Sequence, residues 1–165
     1  MTYTSLGGTT ASPNAMPTPD EEFERRTRMS FAMQPAMSTL GVAIGSIGAG
    51  HVVLRMAHRL DLTQQHGFLH AGMVAAALDS ACGYAAYTLM PAGAGVLTIE
   101  FKINLLAPAR GPQLLFDGQV VKAGRTISVV DGKAYQFDGE EGERKLVATM
   151  TATVMTVIGR DGVTQ

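Results

Sequence analysis

Between His51 and His58 the residues Val52, Leu54 and Met56 fall on every second position, the phasing of a strand with one buried face. Leu40–Ile47 reads as a strand before it, weakened by glycine. Gly48-Ala49-Gly50 lies between the two as a turn, which makes a β-hairpin. Four more strand-like segments follow downstream. Val96–Leu106 stops at Pro108, and Gln113–Lys122 stops at Gly124. Thr126–Phe137 is followed by Asp138-Gly139, and Lys145–Val157 is rich in Val, Thr and Met. The turn segments 109–111, 122–125 and Asp138 to Glu143 suit antiparallel connections. Ala71 to about Met90 breaks the period. Its sequence AGMVAAALDSACGYAAYTLM is apolar nearly all round with Asp79 as its only charge, the signature of a buried helix, and Pro91 to Gly95 ends it. Near the N-terminus, Thr18 as N-cap, Pro19 at the first helical position and Asp20, Glu21 and Glu22 in the first turn predict a helix over about 19–33, stopped by Pro35. Residues 1–18 show no periodicity and read as a disordered tail; residues 159–165 read as a second tail. The order is helix, hairpin, buried helix and four-strand meander. It predicts one α+β domain over 19–158, an antiparallel sheet with a helix on one face.

Composition narrows this. A chain of 165 residues fits one domain. The hydrophobic share of 46% argues against disorder, and the charged share of 16% lies below the usual ~25%. So small a charged surface suggests that apolar area is buried against another subunit. With 13 basic and 14 acidic residues the net charge is −1, so nothing electrostatic favours nucleic acid or an anionic membrane. One cysteine, Cys82, excludes an intrachain disulfide and a Cys-rich zinc site. The first residues have neither a basic region nor an apolar core, so no signal peptide is expected. No apolar run approaches the ~18 residues of a membrane span. The expected location is cytoplasmic.

Candidate chemistry begins with Asp79. An unpaired carboxylate among Ala, Leu, Met and Cys must be hydrogen-bonded or line a cavity. It is either a structural side chain or a general base or nucleophile tuned by a partly dry site. The helix start at Ala71-Gly72 is the second candidate. Its first backbone N–H groups lack intrahelical partners, little side chain covers them, and an oxyanion fits there. Small residues at a helix start also simply permit a tight turn. His66 and His70 stand four apart, but Gly67 separates them and the stretch precedes the helix, so no metal site is expected. Gly45-Ser46-Ile47-Gly48-Ala49-Gly50 lies between two strands with no helix after it, which excludes a dinucleotide fingerprint.

The stretch Gln64-Gln-His-Gly-Phe-Leu-His70-Ala-Gly72-Met-Val-Ala-Ala-Ala-Leu-Asp79-Ser-Ala-Cys-Gly resembles the signature of PaaI-type hotdog-fold thioesterases: Asn or Gln, then His-Gly-Gly, then an acid two turns into the central helix. Thr98 to Gly111 resembles the next strand of that family, and Gly124-Arg125-Thr126 the turn before the fifth. The likeness covers about residues 38–157. It implies a hotdog, a curved antiparallel sheet around one long helix, assembled as homodimers often paired into homotetramers. The implied activity is hydrolysis of acyl-coenzyme A with no cofactor and no metal. Asp79 takes the place of the base or nucleophile and Gln64 that of the residue placing water or substrate. The Ala71 N–H, with Gly72, would polarise the carbonyl. His70 and Thr98 fall beside the substrate. Gly124, Arg125 and Thr126 fall where relatives touch coenzyme A. His-Ala-Gly replaces His-Gly-Gly here, a change tolerable where a backbone N–H does the work.

One inference stands apart from the likeness. Ala71 and Asp79 are eight residues apart, roughly 12 Å along one helix. A carbonyl held at the Ala71 N–H is therefore out of reach of the same chain's Asp79, and a site shared by two antiparallel helices at a dimer interface solves this. The anionic nucleotide of the coenzyme A that the resemblance implies needs local positive charge on a chain of net −1, for which Arg125 is the first candidate and Arg110 the second. A hotdog hydratase or dehydratase pairing His70 with Asp79, and a non-catalytic acyl-CoA-binding module, remain rival readings. An enoyl-CoA hydration assay and a turnover assay separate them.

Overall fold

The structure, a computed structural model, describes residues 16–137, 142–160 and 162. Residues 1–15 of the expected N-terminal tail lie outside these, as do 138–141 of the Asp138–Glu143 turn and 161 and 163–165 of the C-terminal tail. The elements run α1 Phe23–Ala32, α2 Pro35–Leu40, β1 Val42–Gly48, β2 His51–Ala57, a 3-10 turn Leu60–Leu62, α3 Ala71–Tyr87, β3 Gly95–Leu105, β4 Gln113–Lys122, β5 Ile127–Phe137 and β6 Arg144–Val157.

The boundaries predicted from periodicity hold for the strands to within two residues. The helices depart from them for local reasons. The first helix begins at Phe23 rather than Pro19, because Asp20 closes a turn first. Its carboxylate accepts the Glu22 N–H at 3.0 Å and its carbonyl the Phe23 N–H at 3.2 Å. Pro35 ends one helix and opens α2 at its first position, an element the periodicity does not show. Gly41, with φ 70°, then turns the chain into β1. The long helix stops at Tyr87 rather than Met90. There the Thr88 hydroxyl turns to the Ala85 carbonyl at 2.7 Å and takes the Gly50 N–H at 2.7 Å.

All six strands form one antiparallel sheet in the order β1-β2-β4-β5-β6-β3. The expected four-strand meander is therefore corrected to three, β4-β5-β6. Between β2 and β3 the chain spends α3 crossing the sheet, so β3 arrives at the far edge beside β6. The place next to β2 goes to β4. The sheet curves around α3 in the hotdog arrangement. Gly118 and Gly132 pair across β4 and β5 directly beneath the helix. A Cβ at Gly118 would stand 2.4 Å from the Ala81 carbonyl oxygen, and one at Gly132 2.8 Å from the Cys82 Sγ. These two residues form the saddle in which the helix lies. Leu54, Leu78, Phe116, Val130 and Val154 close the core around it, all buried.

Two further features place the site. The α1 helix docks on the C-terminal half of α3, where the Phe31 and Tyr84 rings meet edge-on at 5.4 Å and Arg26 stacks 4.5 Å from the Tyr87 ring centre. In β3 the register against β6 slips between Thr98 and Glu100. Because of that bulge, Thr98 and Phe101 both face the helix side. Phe101, Ile103 and Leu105 pair with Ala152, Met150 and Ala148, whose side chains are core, yet Phe101 is 44% and Leu105 55% exposed. The helix does not reach this end of its own sheet.

Candidate active site

Asp79 sits midway along α3 on the flank facing β3. Its carboxylate is half-buried and accepts a hydrogen bond from the Thr98 hydroxyl at 2.8 Å. The β3 bulge aims Thr98 at it. Burial raises the Asp79 pKa above the ordinary carboxylate range, and the Thr98 hydroxyl offsets part of the rise. The carboxylate opens on a cavity of about 240 Å³ walled by Gln34, Ser80, Gly83, Tyr84, Val96, Leu97 and Thr98. A half-dry carboxylate with a raised pKa, held in one orientation, has the makings of a proton acceptor.

The start of α3 is built by the loop before it. The Gln64 N–H donates to the Phe68 carbonyl at 2.8 Å, and the turn between passes through Gly67 at φ 80°. The Leu69 N–H is tied to the Ala109 carbonyl at 2.8 Å and the His70 N–H to the Leu62 carbonyl at 2.9 Å. The Gln64 side-chain oxygen takes the His66 N–H, so its NH₂ has no partner among the described residues. His70 is the N-cap, and its Nδ1 accepts the Gly72 N–H at 2.9 Å. The His70 carbonyl accepts the Met73 and Val74 N–H groups. The Gly72 N–H is thus engaged by the cap. The Ala71 N–H is left without an acceptor among the described residues. Ala71 and Gln64 share a largely apolar cavity of about 370 Å³ with Phe68, Val74, Leu105 and Pro108.

One chain does not bring the two halves together. Gln64 and Ala71 line one cavity, Asp79 and Thr98 another. The cationic candidates are also apart. Arg110 lies by the Ala71 end, its guanidinium 5.9 Å from the Phe68 ring centre, and its backbone N–H is held by the buried Gln136 side chain at 2.8 Å. Arg125 and Gly124 line a third cavity of about 260 Å³ near the C-terminal end of α3, with Met90, Ser128 and Thr156. The Thr126 carbonyl accepts the Thr156 N–H at 2.8 Å. Gln34, Gly83 and Tyr84 line the Asp79 cavity, and sequence reasoning did not single them out. A glycine one helical turn past Asp79 was the one available signal; nothing local links Gln34 to Asp79.

The sequence profile of the thioesterase superfamily matches residues 66–143. A thioesterase family protein from Silicibacter pomeroyi is 52% identical, and its crystal structure superposes with a TM-score of 0.80 over 83% of this chain and 99% of that one. The E. coli PaaI protein of the phenylacetic acid degradation operon shares the fold, with a TM-score of 0.74 at 20% identity over 89% of this chain and 99% of that one. A Saccharolobus solfataricus protein that bears an esterase name is 31% identical over 107 residues, 65% of this chain and 76% of that protein.

Proposed function

The chain belongs to the thioesterase superfamily, and from that premise we propose that it hydrolyses acyl-CoA thioesters to a free acid and coenzyme A. Thioester hydrolysis is the reaction class that membership supplies. The finer reading rests on Asp79, a half-buried carboxylate with a raised pKa, fixed by Thr98 at the mouth of a cavity. In this reading Asp79 takes a proton from water as the water oxygen bonds to the thioester carbon. The carbonyl oxygen becomes an oxyanion at an Ala71 N–H, and Gln64 positions the water or the substrate. Collapse then breaks the C–S bond, and the proton leaves with the sulfur as the coenzyme A thiol. Ala71 and Asp79 open on different cavities, so the Ala71 and Gln64 of one protomer serve the Asp79 of its partner. The partner packs on the inner face of β3 at the exposed Phe101 and Leu105, giving a homodimer, and two dimers pair into a tetramer. Gly124, Arg125 and Thr126 meet the nucleotide of coenzyme A, with Arg110 a second cation and His70 beside the substrate. The enzyme acts in the cytoplasm, and no helix among the described residues is long and apolar enough to cross a membrane. The reading calls for no metal or cofactor.

The test is thiol release from a panel of acyl-CoAs. Asp79→Asn keeps the shape and removes the base, and kcat is expected to fall on the order of 10²-fold or more. Turnover at the wild-type rate by a folded Asp79→Asn protein would sink the assignment.

A further inference from the structure

Helical glycines need a reason, and the glycines of this fold divide by theirs. Gly118 and Gly132 are glycine because α3 lies against them. Gly83 lies inside α3, where glycine weakens a helix, and it is buried. Yet a Cβ built on it would meet nothing within 4 Å. Packing therefore does not exclude a side chain at this position; the space before it is empty. That space is part of the cavity beside Asp79, and Gly83 is one turn along the same helix.

We propose that this space is the acyl subsite, that Gly83 sets its size, and that it receives a short acyl group carrying a hydrogen-bonding substituent toward its far end. The proposal rests on the thioesterase reading above. A thioester at Asp79 has two arms. The coenzyme A arm must leave toward solvent, and the acyl arm takes the cavity. At about 240 Å³ the cavity is smaller than the ~300–1,000 Å³ typical of ligand sites, which favours a short group. Its wall is polar for its size. Gln34, Ser80, Tyr84 and Thr98 line it beside the carboxylate. The Gln34 oxygen accepts from the Ser80 hydroxyl at 3.5 Å, and its NH₂ has no partner among the described residues. Gln34 comes from the junction of α1 and α2. The contact of Ser30 with the Tyr84 hydroxyl at 3.1 Å anchors that junction to α3. The N-terminal helices thus supply a specificity-determining residue to a site whose chemistry lies elsewhere.

The experiment compares wild type, Gly83→Ala, Gly83→Val and Gln34→Leu by kcat/KM on acetyl-, butyryl-, hexanoyl- and 4-hydroxybutyryl-CoA. With Gly83→Val the loss is expected to grow with acyl length, from within about 2-fold for acetyl to 10-fold or more for hexanoyl, since each methylene excluded from a pocket costs about 10-fold or more. Gly83→Ala gives the same trend in milder form and melts at or above the wild-type temperature, so it carries the series if the valine variant fails to fold. Gln34→Leu should lower the 4-hydroxybutyryl to butyryl ratio by about 10-fold, the worth of one hydrogen bond at the upper end of its range. Losses equal at every length, or an unchanged hydroxyl preference, overturn this subsite while leaving the thioesterase reading intact. Absence of wild-type turnover on every thioester overturns both.

Discussion

Burial favours the neutral form of Asp79, and this has a consequence for stability. Its pKa is higher in the folded chain than in the unfolded one, so the folded state holds the proton over a range of pH where the unfolded state has lost it. Folding stability from this group is therefore full below the ordinary carboxylate pKa of about 4 and is lost as pH rises through the raised value. Asp79→Asn removes that loss. Its melting temperature at neutral pH should exceed the wild-type value, and the gain should shrink as melts are repeated toward acid. An asparagine variant that is less stable than wild type at neutral pH would mean that the Thr98 hydrogen bond outweighs desolvation. The same residue was legible in the sequence, because a lone carboxylate in an apolar helix has few explanations. Gln34 was not: its partner Ser80 is 46 positions away, and no period or spacing connects α1 and α2 to α3. His70 was legible as part of a motif, but its role as the cap that consumes the Gly72 N–H is a matter of one side-chain rotamer.

At the scale of elements, the strands were readable because alternation is local, while the order of strands was not. Periodicity says that β3 is a strand; it does not say that β3 pairs with β6 across a helix. The saddle under α3 was equally hidden, since Gly118 and Gly132 acquire their meaning only when β4 and β5 are paired and the helix is laid across them. It makes an ordered prediction. Gly118→Ala drives a methyl into the helix backbone at Ala81 and should cost about 1–3 kcal/mol or more in chemical denaturation, as overpacking does. Gly132→Ala meets the movable side chains of Cys82 and Leu78 and should cost less. Equal costs at the two positions would show that the helix rides on the strands more loosely than the geometry indicates.

For the whole molecule, the separation of Ala71 from Asp79 predicts complementation. Gln64→Ala and Asp79→Asn proteins, each nearly inactive, should regain activity after mixing and subunit exchange. Random pairing makes half the dimers mixed, each with one intact site, so recovery should approach about a quarter of wild-type activity. No recovery despite confirmed exchange would place the whole site within one chain. The buried helix that carries Asp79 also carries Cys82, the one thiol of the chain, with no solvent exposure and a pKa pushed up to about 12 by burial and by the nearby carboxylates of Asp79, Asp131 and Asp117. A thiol so placed is silent toward disulfide reagents while the fold stays closed. Reagents that titrate the thiol released in the proposed reaction will therefore register it without a protein background. Once substrate is withheld, the same reagent becomes a clock: labelling of Cys82 should follow the rate at which the sheet lets go of its helix. Prompt labelling of the native protein would show instead that the helix is reachable without opening.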